Sequence, residues 1–278
     1  MKILVTGATG FVGRYVINVL LKYDHTIIAA GRNKNLFENK KINFISFDLD
    51  KLDSNKNYFE YFTQPDLLIH LAWQGLPNYK SLFHFENNLP AHYSFLKNMV
   101  VSGLKNMVVT GTCFEYGMKE GCLSEDIVTD PRNPYALAKD TLRKFLFELK
   151  KKNEFSCKWI RLFYMYGEGQ NPNSLLSQLQ IALSNGDKEF KMSGGEQERD
   201  YLPVEKVAEY IVAVALQNEV EGIINCCSGK PIKIKELVTN YLKENNVDIK
   251  LNPGYYPYTD YEPMSFWGDN TKLKQILN

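Results

Sequence analysis

The chain lacks any apolar run near the ~18 residues that a membrane-spanning helix needs; its longest candidates, such as Ile211–Leu216, are short and core-like. Gly7 follows Lys2 too closely to leave room for the apolar stretch of about 7–15 residues of a signal peptide, so a cytoplasmic location without membrane contact is expected. Neither sign of charge is in excess. Lys plus Arg number 33 and Asp plus Glu 32, a net +1, which gives no electrostatic reason to expect nucleic acid or an anionic membrane as partner. Cysteine is sparse and unpatterned: Cys113, Cys122, Cys157, Cys226 and Cys227 form an odd set without C-x-x-C spacing, which reads as reduced thiols rather than a disulfide framework. The four histidines (His25, His70, His84, His92) include no H-x-x-x-H pair, so no metal site is expected. No repeat or low-complexity tract is visible.

What the chain does have is 278 residues, 44% of them apolar and 23% charged, an ordinary globular composition. At this length roughly three quarters of the unfolded surface is buried on folding. Short β-rich runs alternate with amphipathic stretches. The predicted strands are Lys2–Thr6, Thr26–Gly31, Asn43–Phe47, Asp66–Leu71, Asn106–Gly111, Cys157–Phe163 and Gly222–Cys226; the predicted helices include Arg14–Tyr23, Asn88–Val101, Tyr135–Lys152 and Glu205–Gln217. Several strands are apolar at nearly every position, as parallel strands covered on both faces are. The alternation argues for an α/β fold, a doubly wound parallel sheet of Rossmann type. The regularity fades after Gly167. The expected division is therefore a dinucleotide-binding domain at 1–166 plus 199–228 and a smaller substrate-binding lobe at 167–198 plus 229–278.

The first strand runs into Gly7-Ala8-Thr9-Gly10-Phe11-Val12-Gly13 and then a helix. Glycines at this spacing allow a tight turn, close approach to a pyrophosphate and packing of helix on strand, while the helix N-terminus offers free N–H groups to the anion. The second strand ends Ala30-Gly31-Arg32-Asn33-Lys34 with no acidic side chain to accept from a ribose 2′-hydroxyl. Arg32 suits a 2′-phosphate instead, so NADP(H) is favoured over NAD(H). Tyr135-Ala136-Leu137-Ala138-Lys139 puts a phenol and an ammonium on one helix face, after Pro134 at a helix start. A nearby cation favours phenolate, and drawing a pKa of about 10 to neutrality takes about 4 kcal/mol.

Together these residues resemble the extended short-chain dehydrogenase/reductase family of nucleotide-sugar epimerases, dehydratases and reductases. The resemblance spans the chain through Asp48-Leu49, His70-Leu71-Ala72-Trp73, Asn88, Thr110-Gly111-Thr112, Tyr116-Gly117, Arg161–Gly167 and Arg199–Val204. It implies that Thr112 hydrogen-bonds the substrate, that Tyr135 is the acid/base, and that Lys139 orients the ribose and tunes Tyr135. It implies cofactor contacts from Gly7, Thr9, Gly10, Phe11, Val12, Gly13, Arg32, Asn33, Asp48, Leu49, Leu71, Ala72, Trp73, Asn88, Thr110, Tyr135, Lys139 and Leu162. Substrate contacts are implied for Trp73, Thr112, Phe114, Tyr135, Tyr164 and Arg199, the last as the partner of the diphosphate. His70 is read as a core histidine.

Departures from the family pattern narrow the reaction. Dehydratases carry Asp-Glu after the active-site Thr, where this chain has Cys113-Phe114. Epimerase-reductases use a cysteine at the position of Phe114, and Cys113 is expected to point to the other strand face. Tyr164 stands where Asn is usual. The leading expectation is an NADPH-dependent reductase of a nucleotide-linked 4-keto-6-deoxyhexose in deoxysugar biosynthesis for a surface polysaccharide; a nucleotide-sugar 4-epimerase with retained cofactor and a non-catalytic NADP sensor are the alternatives. Apolar residues beyond one stripe on the two helices (Tyr93, Phe95, Leu96, Met99; Leu142, Phe145, Leu146, Leu149) predict a homodimer through 88–101 and 135–152.

Overall fold

The computed structural model describes residues 1–33 and 41–277; Lys34 lies outside the described residues. Seven strands form one all-parallel sheet: β1 (Lys2–Thr6), β2 (Thr26–Gly31), β3 (Ile42–Ser46), β4 (Leu67–His70), β5 (Asn106–Thr112), β6 (Ser156–Leu162) and β7 (Gly222–Cys226). Their spatial order is β7-β6-β5-β4-β1-β2-β3, the doubly wound arrangement read from the sequence. Strand β1 shows why these runs are apolar throughout. Ile3 and Val5 face one helical layer and Leu4 the other, all fully buried, so alternation between a polar and an apolar face is lost.

On the first face lie α1 (Phe11–Leu20) and, later in the chain, α5 (Val204–Leu216), with Val16, Ile17, Leu20, Val207 and Ile211 in the core. On the second lie α2 (Leu89–Val101) and α3 (Pro134–Lys150), which bury Phe95, Leu96, Met99, Leu142, Leu146 and Leu149. Six of the eight apolar positions that predicted a homodimer are thus spent in the chain's own core. Tyr93 and Phe145 remain, edge to face on one another at 5.1 Å, with the Phe145 ring exposed. Helix α1 begins three residues earlier than predicted, because Gly10 sits as its N-cap and Phe11 already turns helically. Helix α2 is preceded by a wide π turn over His84–Asn88.

A separate core joins α4 (Leu175–Asn185) and α6 (Ile234–Glu244), and takes in Phe190, Met192, Val238 and Ile249. The final helix, Thr271–Leu277, instead buries Leu273 in the main core. We therefore keep the two-part division as a proposal, with that last helix assigned to the sheet. No helix among the described residues is long and apolar enough to cross a membrane.

Candidate active site

In this strand order β1 and β4 flank the point where the winding reverses, and ligands of open α/β sheets bind beyond the strand ends there. The turn after β1 is built for that approach. Gly7 has φ +71°, and a Cβ on it would lie 2.6 Å from the Ala72 nitrogen. At Gly13 a Cβ would run into the Gly7 and Ala8 carbonyl oxygens. The chain thus folds back on itself with no room for side chains, and leaves the N-terminus of α1 without a side-chain cap. Such a terminus is suited to a phosphate.

Two clefts meet over this turn, sharing Gly7, Gly10, Leu71 and Trp73. The smaller is lined by Thr9, Gly31, Arg32, Asp48, Leu49, Ala72 and Gln74. Asp48 also caps the short turn behind it, accepting from the Asp50 N–H at 3.2 Å. Arg32 reaches across to donate to Gln74 Oε1 at 3.3 Å. The larger, of about 650 Å³, is lined by Phe11, Val12, Gly13, Thr110, Thr112, Phe114, Tyr135, Lys139, Leu162 and Tyr164, within the size range of small-molecule sites. The ten residues just named for the larger cleft are all among those singled out in the sequence, as are Thr9, Arg32, Asp48, Leu49 and Ala72 in the smaller. Asn33 and Asn88 line neither cleft. Asn88 instead donates to the Gln74 carbonyl at 3.0 Å and holds the turn that precedes α2.

The three chemical residues converge. Asn133 caps α3 by accepting from the Ala136 N–H at 2.9 Å, and the Tyr135 N–H donates to the Tyr79 carbonyl at 3.1 Å. The phenol so placed lines the same cleft as the Thr112 side chain, which lowers its pKa slightly against the burial. One turn on, Lys139 Nζ donates to the Thr110 carbonyl at 2.8 Å and lies 4.1 Å above the Trp73 ring. Burial dominates the electrostatics of the pair. Burial pushes the Tyr135 phenol up, and Tyr79 and Glu115 push it further the same way. Burial also brings the Lys139 ammonium down to about 7, against the pull of Glu115. Desolvation is the largest of these effects, and Tyr135 is held as a neutral phenol.

Trp73 lines both clefts and stacks on His84, to which its indole N–H donates at 3.1 Å. His70 is fully buried, joined to Thr6 and to His92 at 2.7 Å each, the core histidine anticipated. Cys113, expected to face away, lines the larger cleft beside Phe114. The reason is local: after Thr112 the chain leaves the strand and enters a 3-10 turn over Cys113–Tyr116, so strand alternation no longer applies.

Arg199 lies apart from these residues. It does not line either cleft. Its guanidinium is buried and donates to Glu262 at 3.0 and 3.2 Å, and to the Glu198 and Met264 carbonyls. Tyr164 donates to the same Glu262 oxygen at 2.5 Å. The expected diphosphate partner is thus tied to its own chain. Replacing Glu262 by Ala is expected to cost about 3–5 kcal/mol, because it strands a buried charge. Urea denaturation checks this, and a loss under 1 kcal/mol contradicts the reading.

Reading by motif missed Tyr79, Leu76, Pro77 and, from one loop, Gly169, Gln170, Asn171, Asn173 and Ser174, all of which line the larger cleft. They lie in irregular segments where no spacing rule applies. Tyr79 packs on both Phe114 and Tyr135, at 5.2 and 5.5 Å between ring centroids.

Comparison with known proteins agrees with this geometry. The model of the NAD dependent epimerase/dehydratase family matches residues 3–227. A dTDP-6-deoxy-L-talose 4-dehydrogenase (NAD(+)) from Aggregatibacter actinomycetemcomitans is 32% identical over 272 residues, 96% of this chain and 99% of that protein. The GDP-6-deoxy-D-talose 4-dehydrogenase of the same organism is 26% identical, over 100% of this chain and 91% of its own length. Among solved structures, a UDP-N-acetylglucosamine 4-epimerase from Methanobrevibacter ruminantium M1 has a TM-score of 0.87 at 21% identity, covering 99% of this chain and 91% of that one. A UDP-glucuronic acid 4-epimerase from Bacillus cereus has 0.85 at 23%, covering 100% and 93%. These two likenesses bear on the fold. The chain belongs to the NAD dependent epimerase/dehydratase family, whose members are enzymes of the oxidoreductase and epimerase type.

Proposed function

We propose that the protein is an NADPH-dependent reductase of a nucleotide-linked 4-keto-6-deoxyhexose. The observation that carries this is one continuous groove. It runs from Arg32 over the Gly7–Gly13 turn to Thr112, Tyr135 and Lys139, and ends in an aromatic wall of Tyr79, Phe114 and Tyr164. The glycine cradle fits a dinucleotide, since a Cβ at Gly7 or Gly13 would fill it. A bound reduced nicotinamide supplies the hydride to the carbonyl carbon. Thr112 holds the carbonyl oxygen, and Tyr135 gives that oxygen its proton, so that the ketone becomes a secondary alcohol. Burial keeps Tyr135 a neutral phenol, so it carries the proton to be given. The apolar wall suits a methyl group at C6 better than a polar or charged one. The two relatives named as 4-dehydrogenases of 6-deoxytaloses support hydride transfer at C4, for which ketone reduction is the reverse direction.

The second reading is a 4-epimerase, favoured by relatives such as the UDP-arabinose 4-epimerase 1 of Arabidopsis thaliana. NADPH absorbance followed against dTDP-, GDP-, CDP- and UDP-linked keto sugars separates the two. Net oxidation supports the reductase; interconversion of two nucleotide hexoses without net cofactor consumption overturns it.

The NADPH preference rests on Arg32, which lines the smaller cleft. A charge-assisted contact of roughly 1.5–3 kcal/mol corresponds to about ten- to a hundredfold tighter binding of NADPH than NADH. Arg32→Ala is expected to erase most of that difference, as read by fluorescence titration. Equal binding by the unaltered protein refutes the preference. We propose a cytoplasmic homodimer that pairs α2 and α3 around Tyr93 and Phe145. A sedimentation mass near 32 kDa at micromolar concentration excludes the dimer.

A further inference from the structure

Glu115 has no part in the mechanism so far, yet it sits at the centre of the machinery. It lies in the 3-10 turn that follows Thr112, and its side chain is fully buried. Its Oε1 accepts from the Thr112 N–H at 2.9 Å and from the Trp159 indole N–H at 3.0 Å. Its Oε2 accepts from Arg161 Nε at 2.8 Å and lies 3.8 Å from Arg143 Nε. Arg143 belongs to α3, the helix that carries Tyr135 and Lys139, and is locked there by Asp140 at 2.6 Å. Asp140 is itself bound by Lys144 and Thr129. Even the backbone is adapted to this carboxylate: a Cβ at Gly111 would collide with both Glu115 Oε1 and the Trp159 indole nitrogen.

We propose that Glu115 is a positioning residue, a buried carboxylate clamp that joins the strand end bearing Thr112 to the helix bearing Tyr135 and fixes their separation. The proposal rests on Thr112 and Tyr135 being the reacting pair, whatever sugar they act on. A hydrophobic residue could fill the same volume, but it would leave Arg161 and the Trp159 N–H buried without an acceptor. It would also release the Thr112 N–H, whose direction sets where the hydroxyl points. Small displacements of this kind are costly in rate, because the reacting groups must be held close to one geometry.

The carboxylate has a second, measurable effect. The titratable groups facing Lys139 are Tyr135 on its own helix, His70 at the end of β4, His84 in the π turn, His92 on α2, and Glu115. Burial keeps His70 and His92 neutral. Glu115 is thus the anion that holds the Lys139 ammonium up against its burial. A residue that merely supported the fold would not do this.

The test uses Glu115→Gln, which keeps the volume but presents an amide N–H₂ to donors, and Arg143→Met, which breaks the clamp from the α3 side. Titration of ¹³Cε-labelled lysine in the whole protein reads Lys139 directly, with no substrate present. In Glu115→Gln its midpoint is expected to fall by roughly half a pH unit or more. With a 4-keto-6-deoxy nucleotide sugar and NADPH, both variants are expected to lose about 10- to 100-fold in kcat, with KM and NADPH binding within about threefold of the parent. Glu115→Asp, which restores the charge, should bring the Lys139 midpoint back. An unmoved Lys139 midpoint, or unchanged kcat in a folded Arg143→Met protein, overturns the clamp. Failure of the unaltered protein to turn over any keto sugar rejects the reductase reading alone, and the lysine titration still decides this one.

Discussion

Tyr135→Phe is expected to lower turnover by about 10²–10⁴-fold while leaving dinucleotide binding close to that of the unaltered protein. The ring itself is structural: its edge meets Trp73 and His84, with centroids at 6.0 and 5.3 Å, and it tilts against Tyr79 at 5.5 Å. Phenylalanine keeps these contacts. What is lost is the hydroxyl alone, with its proton. A positioned general acid contributes about 10²–10⁴-fold, and this phenol is held protonated by burial, so it is ready to give a proton rather than take one. Single-turnover NADPH oxidation measures the rate, and fluorescence titration measures the binding. A loss of less than tenfold would mean that another group gives the proton. The nearby candidates are Tyr79 and Cys113, which line the same cleft. Burial raises the Cys113 thiol and the Tyr79 phenol as it raises Tyr135, so the loss of rate and not acidity tells these groups apart.

The sequence makes the cofactor half of this site legible because every signal there is local. Strand β1, the Gly7–Gly13 turn and α1 are contiguous, and steric demands at Gly7 and Gly13 come from the turn itself and the neighbouring Ala72. The pair Tyr135 and Lys139 is equally local, one helical turn apart. The substrate half is not. Arg199 looked free to meet a diphosphate because Glu262, which neutralises it, lies 63 residues later. Cys113 was placed by strand alternation at the point where the strand ends. Tyr79 lies in a loop whose shape depends on contacts with α3 and with Phe114. The apolar excess on α2 and α3 was real, but it covers the sheet. Periodicity gives the number of apolar faces on a helix and not what each is packed against. Each of these positions is one where a partner distant in sequence decides the environment of a residue.

Lys139→Met is expected to give a protein that is more stable near neutrality and nearly inactive. The ammonium of Lys139 is buried under Trp73, and burial lowers its pKa from 10.5 to about 7. At about 1.36 kcal/mol per unit, that shift is a folding penalty on the order of 3–5 kcal/mol. Below pH 7 both folded and unfolded chains carry the charge, and the whole penalty is present. Between pH 7 and 10.5 the folded chain releases its proton first, the unfolded chain binds more protons, and stability rises with pH. Above 10.5 the penalty is gone. The variant lacks the charge and hence this rise. It also loses the hydrogen bond to the Thr110 carbonyl, which offsets the gain by about 1–3 kcal/mol. A net gain of roughly 2 kcal/mol at pH 6 is expected, shrinking and then reversing toward pH 10. Turnover is expected to fall on the order of a hundredfold, since no cation remains to balance the phenolate that Tyr135 becomes as it gives up its proton. Urea denaturation of both proteins from pH 6 to pH 10 reads the crossing directly. Parallel stability curves across that range would show that Lys139 does not titrate within it, and a variant less stable at pH 6 would mean that its contacts outweigh its burial.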